Sequence, residues 1–217
     1  PWHARRRRER IASRPFPAGW RRILRERVPY VRLLPPDLLQ QLQKRIQVFV
    51  AEKSFVGCGG LAITDEMRVV IAAQACLLLL NRPGRDFSRL SEILVYPGPF
   101  VVHRERRDGI GLVSGHSRVH SGESWAHGQV ILSWQDVIEG SLADDDGRNV
   151  TIHEFAHQLD DQTGEADGTP YLPSPALAAR WREAFQTAFE RHQRLQRRRR
   201  EVLFDENAAE SPAEFFA

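Results

Sequence analysis

The stretch Thr151-Ile152-His153-Glu154-Phe155-Ala156-His157-Gln158-Leu159-Asp160 constrains the fold of this chain more than any other. It holds the pattern His-Glu-x-x-His, which makes chemical sense only on a helix. There residues four apart share a face, so His153 and His157 can aim two imidazoles at one ion with Glu154 beside them. Neutral imidazoles bind Zn²⁺ without cancelling its charge, and the adjacent carboxylate can take a proton from a water. The helix must also be held rigidly. Asn149 or Thr151 can cap it, and Val150, Ile152, Phe155, Ala156 and Leu159 supply an apolar body to press against a core. The plainer alternative is an ordinary helix whose histidines sit at the surface or the edge of the core.

Composition bounds the rest. At 217 residues and 41% apolar the chain can build one substantial core. The net charge of +3 comes almost wholly from arginine, Lys44 and Lys53 being the only lysines, so the basic balance says little about partners. Cys58 and Cys76 are too far apart for a metal hook and too few for a disulfide framework, and read as free thiols in a reducing compartment. Arg5 to Arg8 have no apolar segment behind them, unlike a secretory signal. The longest apolar run, Val69 to Leu80, contains Gln74 and suits a buried helix, not a membrane span. A cytoplasmic protein with no membrane or direct nucleic-acid partner is expected.

In chain order, residues 1–19 read as a basic arm over the surface, broken by Pro15 and Pro17. Helices are expected over Trp20 to Val28, Pro36 to Glu52 and Met67 to Leu80, the last capped near Thr64 and apolar all round, hence central. Ser91 to Pro97 and Gly128 to Trp134 read as strands, with a hairpin or irregular loop from Phe100 to His120 between them. Gly128 to Trp134 is a candidate edge along which an extended peptide could pair. The histidines His103, His116, His120 and His127 lack ligand spacing, and the acidic turn Asp144 to Gly147 lacks the pattern of a calcium loop. A long helix, Ala176 to Arg200, would bury Leu177, Trp181, Ala184, Phe185, Ala188, Phe189 and Leu195. Two short strands among five or six helices make an α+β domain, mostly helical.

A third protein ligand must come from elsewhere. Asp160 and Thr163 occupy the places where one zinc-protease pattern has Gly and a third His, so a downstream Glu is the alternative. Glu165, Glu183, Glu190, Glu206, Glu210 and Glu214 are candidates. Glu214 lies in Ser211-Pro212-Ala213-Glu214-Phe215-Phe216, which is equally a capping box whose Glu bonds back to the helix start. Spacing alone leaves the two readings even.

Together, Tyr96-Pro97, Gly122 to Trp125, Gly128 to Trp134, Asn149 to Asp160 and Ser211 to Ala217 resemble the Mlc titration factor A family, over nearly the whole chain. That family is similar in its core to the metalloprotease domain of anthrax lethal factor. The resemblance implies a zincin-like metallopeptidase over residues 20–217, with a helical part over 20–90 and a catalytic core over 91–217. It implies Zn²⁺ on His153, His157 and Glu214, with Glu154 as general base and aminopeptidase-like action on short peptides. It also implies a second role, sequestering a transcription repressor, Mlc. The sequence departs from the family at Asn207, where members usually carry a Tyr that stabilises the oxyanion; Tyr171 is a substitute donor to consider. It also ends at Ala217, where the family continues its helix.

Overall fold

The computed structural model describes residues 2–82, 87–107, 113–120, 122–125, 128–142, 149–200, 204 and 207–217, and only the backbone from 101 to 125. The acidic turn Asp144 to Gly147, Pro83-Gly84, His127 and Glu206 lie outside the described residues, as do the side chains of His103, His116 and His120.

The centre is α4 (Asp65–Leu77), in which Met67 and every residue from Val69 to Cys76 are buried. Its apolar surface runs all round because neighbours cover it all round: α2 (Ala18–Arg27), α3 (Pro36–Glu52), α5 (Trp134–Leu142) and α6 (Val150–Asp160) pack on it. Thr64 caps it by accepting from the Met67 N–H at 3.2 Å. The long apolar run does not stay helical to Leu80; α4 ends at Leu77 and the chain turns through Leu78 to Asn81, where Asn81 takes a left-handed φ of 56°.

A four-stranded sheet lies beside the helices in the order β1 (Ser54–Gly57), β2 (Glu92–Tyr96), β6 (Gln129–Ser133), β5 (Gly122–Trp125). The first three are parallel and β5 is antiparallel to β6. β3 (Phe100–Arg107) and β4 (Val113–His120) form a separate antiparallel pair. The segment Gly128 to Trp134 is therefore an internal strand, not an edge. Strands buried on both faces read as continuous apolar runs, and Val130, Ile131 and Leu132 are one. The edge beside it is β5, which has no such run, and β1 is the opposite edge. Gly128 is required where β6 begins. Its φ is +80° and a Cβ there would come within 2.4 Å of the Arg89 carbonyl oxygen.

Two helical expectations need correcting. The arginine-rich arm is a helix, α1 (Trp2–Ala12), lying on α3 with no buried residue of its own. Arg8 clasps Glu52 with bonds of 2.7 to 3.0 Å, and Arg5 pairs with Glu9 one turn on. α7 (Pro175–Arg197) buries a narrower stripe than its composition suggests: Phe189 and His192 are buried, Trp181 and Phe185 are half-buried, and Leu177, Ala184 and Ala188 are exposed.

Candidate metal centre

The His-Glu-x-x-His helix, α6, is fixed at both ends and along its inner face. At its start Asn149 caps it, Oδ1 accepting from the Ile152 N–H at 2.9 Å. The same amide donates to Gln74 Oε1 of α4 at 2.6 Å and to the Gly140 carbonyl of α5 at 2.9 Å. One side chain thus ties α6 to two neighbours. In the middle, Phe155 is fully buried against Phe49 and Phe87, ring centroids 5.7 and 4.9 Å away. At its end Asp160 is fully buried and accepts from the Gly168 N–H at 3.0 Å.

This fixes where the polar face points. His153 and His157 bring their Nε2 atoms to 3.2 Å from each other, the rings near perpendicular at 84°. Glu154, one residue on from His153, is only 5% exposed. From α8 (Pro212–Phe216), Glu214 Oε2 approaches His153 Nε2 to 3.3 Å, and Oε1 approaches His157 Nε2 to 3.6 Å. Ser211 accepts from the Glu214 backbone N–H at 3.2 Å, so the cap is made while the carboxylate faces the histidines. The Ser211 half of the capping box therefore forms alongside the approach of Glu214 to the histidines.

A tetrahedral ion with bonds of ~2.0–2.2 Å holds its ligand atoms ~3.3–3.6 Å apart. The two Nε2 atoms are 3.2 Å apart, each lies 3.3 or 3.6 Å from a different oxygen of the one Glu214 carboxylate, and one donor atom from each of the three residues lies within 4.8 Å of the others, close enough to share such an ion. Among the described residues these three form the one group of His, Cys, Asp and Glu side chains close enough to share an ion. Electrostatics agree. Burial, then the neighbouring His153, push the His157 pKa below its ordinary value, outweighing the opposing pull of Glu214, so the ring stays neutral as a ligand must be.

The other described candidates do not join the group. Glu165, Glu183, Glu190 and Glu210 are all exposed. Asn207 begins a short 3-10 turn, Asn207–Ala209, and is exposed. Tyr171 is 42% exposed on the loop before α7, its carbonyl accepting from Arg82. What composition did not flag is the support behind Glu214. Phe215 packs on Phe185, Phe189, His192 and Phe204, while Phe216 packs on Trp181 and Phe185. The aromatic stripe of α7 exists to seat α8.

Known proteins are similar to this chain over most of its length. A family described as glucose-regulated metallo-peptidase M90 matches residues 2–217. An uncharacterised protein of Synechocystis sp. is 37% identical over 212 residues, covering 97% of this chain and 77% of that protein. Mlc titration factor A of Serratia proteamaculans is 37% identical over 193 residues, covering 86% and 72%. Its counterpart in Pectobacterium atrosepticum is 35% identical over 164 residues, covering 75% of this chain and 61% of that protein.

Proposed function

This chain belongs to the glucose-regulated metallo-peptidase family, and from that premise we propose that it is a zinc-dependent peptidase cleaving short peptides, with an aminopeptidase-like preference. His153, His157 and Glu214 hold the metal and Glu154 is the general base. The observation that carries the reading is the convergence of two Nε2 atoms and one carboxylate from α6 and α8 at ion-sized separations. Two nitrogens and one carboxylate also match the donor set of catalytic zinc sites, which leave a fourth position for water or substrate.

When bound, Zn²⁺ supplies Lewis acidity that polarises the scissile carbonyl and acidifies a water. The chain's own residues do the rest. Glu154, withdrawn from solvent beside the histidines, takes the proton of the attacking water and passes it to the leaving amine. Asn149 and Phe155 hold α6 in place. The outer edge of β5, unpaired among the described residues and packed on α6, offers backbone groups to an extended peptide. Residues 20–217 act as the metallopeptidase unit, with 1–19 as a basic arm on its surface.

A second role rests on the relatives called Mlc titration factor A. It is the sequestration of a transcription repressor of the Mlc kind, without direct nucleic-acid binding, and it can coexist with peptidase activity. Among the described residues no helix is long and apolar enough to cross a membrane. Cys58 and Cys76 are free thiols. The free thiols support a reducing, cytoplasmic setting.

Metal analysis of the purified protein with a panel of chromogenic aminoacyl and peptide substrates tests the main reading. About one zinc per chain with chelator-sensitive hydrolysis is expected; a zinc-loaded protein inert on the whole panel would leave only the repressor-binding role.

A further inference from the structure

The metal helix contributes one residue to the site's surroundings that the proposed chemistry does not use. Asp160 closes α6, is fully buried, and keeps its carboxylate away from the histidines. Oδ2 accepts the Gly168 N–H at 3.0 Å, while Oδ1 has no hydrogen-bond partner among the described residues. Burial raises its pKa above the ordinary carboxylate value, partly offset by the backbone N–H groups it faces. A buried carboxyl turned to the backbone N–H groups of one loop is costly unless the loop's position matters.

That loop meets everything that places Glu214. The Gly168 carbonyl accepts from Trp181 Nε1 of α7 at 2.9 Å. Gly168 has φ +79°, and a Cβ on it would fall 2.3 Å from Phe185 Cζ and 3.0 Å from the carbonyl oxygen of Pro212, the first residue of α8. Phe185 in turn packs on Phe215 and Phe216, the two residues after Glu214, at 5.3 and 6.5 Å between centroids. One glycine therefore touches the end of α6, the inner face of α7 and the start of α8.

We propose that Asp160, Gly168 and Trp181 form a positioning device that sets the distance between the two histidines on α6 and Glu214 on α8. These are positioning residues: none provides an atom to the ion. The chain of contacts runs from Asp160 Oδ2 to the Gly168 amide, from the Gly168 carbonyl to Trp181, and from Gly168 through Phe185 to α8. Groups behind a metal site commonly change affinity about 10–100-fold when removed.

This inference rests on the metal-centre reading above, so its test has one readout that needs no metal. Four variants separate the contacts: Asp160→Ala removes the acceptor, Asp160→Asn retains an oxygen for the Gly168 amide, Trp181→Phe removes the indole donor, and Gly168→Ala intrudes on Phe185 and Pro212. In the metal-free protein, hydrogen exchange followed by mass spectrometry should quicken in residues 211–217 of Asp160→Ala, Gly168→Ala and Trp181→Phe, with α4 protected as in the parent. Asp160→Asn should stay close to the parent. In a chelator-competition titration, zinc affinity should fall about 10–100-fold in Asp160→Ala and Gly168→Ala and by less than threefold in Asp160→Asn.

Unchanged exchange in 211–217 across all four variants would overturn the device, and so would Asp160→Asn behaving like Asp160→Ala. Should a variant fail to fold, Trp181→Phe, which preserves an aromatic ring in place, carries the same comparison. A parent protein that takes up no zinc would sink the metal-centre reading alone, because the exchange comparison would still decide the device.

Discussion

Glu214 Oε2 lies 3.3 Å from His153 Nε2, although the two residues come from helices that the chain reaches by crossing the whole length of α7. That closeness makes α8 part of the site despite its five residues. A helix so short has no stability of its own and depends on what it packs against. Here the support is the Ser211 cap and the aromatic stripe of α7.

Replacing Glu214 with Ala should therefore cost metal affinity and little else. Its side chain is about a third exposed and fills no core position. Affinity should fall by more than the ~10–100-fold typical of groups behind a ligand. Thermal unfolding of the metal-free variant should match that of the metal-free parent, as calorimetry would check.

Asn149→Ala should be among the most destabilising single changes near the site. It removes the cap, the bond to the Gly140 carbonyl and a partner of Gln74 Oε1, whose residue is fully buried. A lost cap costs ~1 kcal/mol and an orphaned buried polar atom ~1–3 kcal/mol, so about 2 kcal/mol or more is expected. For a chain of this size that is a fall in Tm of at least ~4 °C. Asn149→Asp, which retains the cap acceptor but not the donors, should lie between.

Cys76 predicts a pH dependence. Burial pushes its thiol from 9.0 up to about 12, against the smaller opposing pull of Arg45 and Lys53. The folded state holds the proton more tightly than the unfolded chain. The stability this contributes is therefore complete below pH 9.0 and disappears as pH rises through about 12. Three pH units correspond to about 4 kcal/mol. In urea unfolding, the stability gap between the parent and Cys76→Ala should hold steady up to pH 9 and narrow above it; a constant gap to pH 11 would contradict the buried, protonated thiol.

Local features of the site were legible in the sequence; distant ones were not. Two histidines one helical turn apart, an Asn before them and apolar residues between them are all set by local geometry, and α6 follows them closely. The strand Gln129–Ser133 was equally clear, but its place inside the sheet depends on β5, a segment with no apolar alternation to announce it. α1 is docked on α3 through Arg8 and Glu52, a partner that no window of sequence around the arm contains. In α7 the apolar residues outnumber the positions that α8 can cover, so Leu177, Ala184 and Ala188 stay exposed. Glu214 is the extreme case. Spacing left it even between cap and ligand, and only the family resemblance favoured ligation, because the choice depends on a helix distant in sequence.

The most direct measurement is peptide hydrolysis by Glu154→Gln alongside its zinc content. Glu154 is not one of the three converging groups, so the variant should bind zinc as the parent does and fold with the same Tm within experimental error. It should lose hydrolysis by at least the ~10²–10⁴-fold that general acid–base catalysis contributes. A zinc-loaded Glu154→Gln protein that still turned over peptide at the parent's rate would contradict the account.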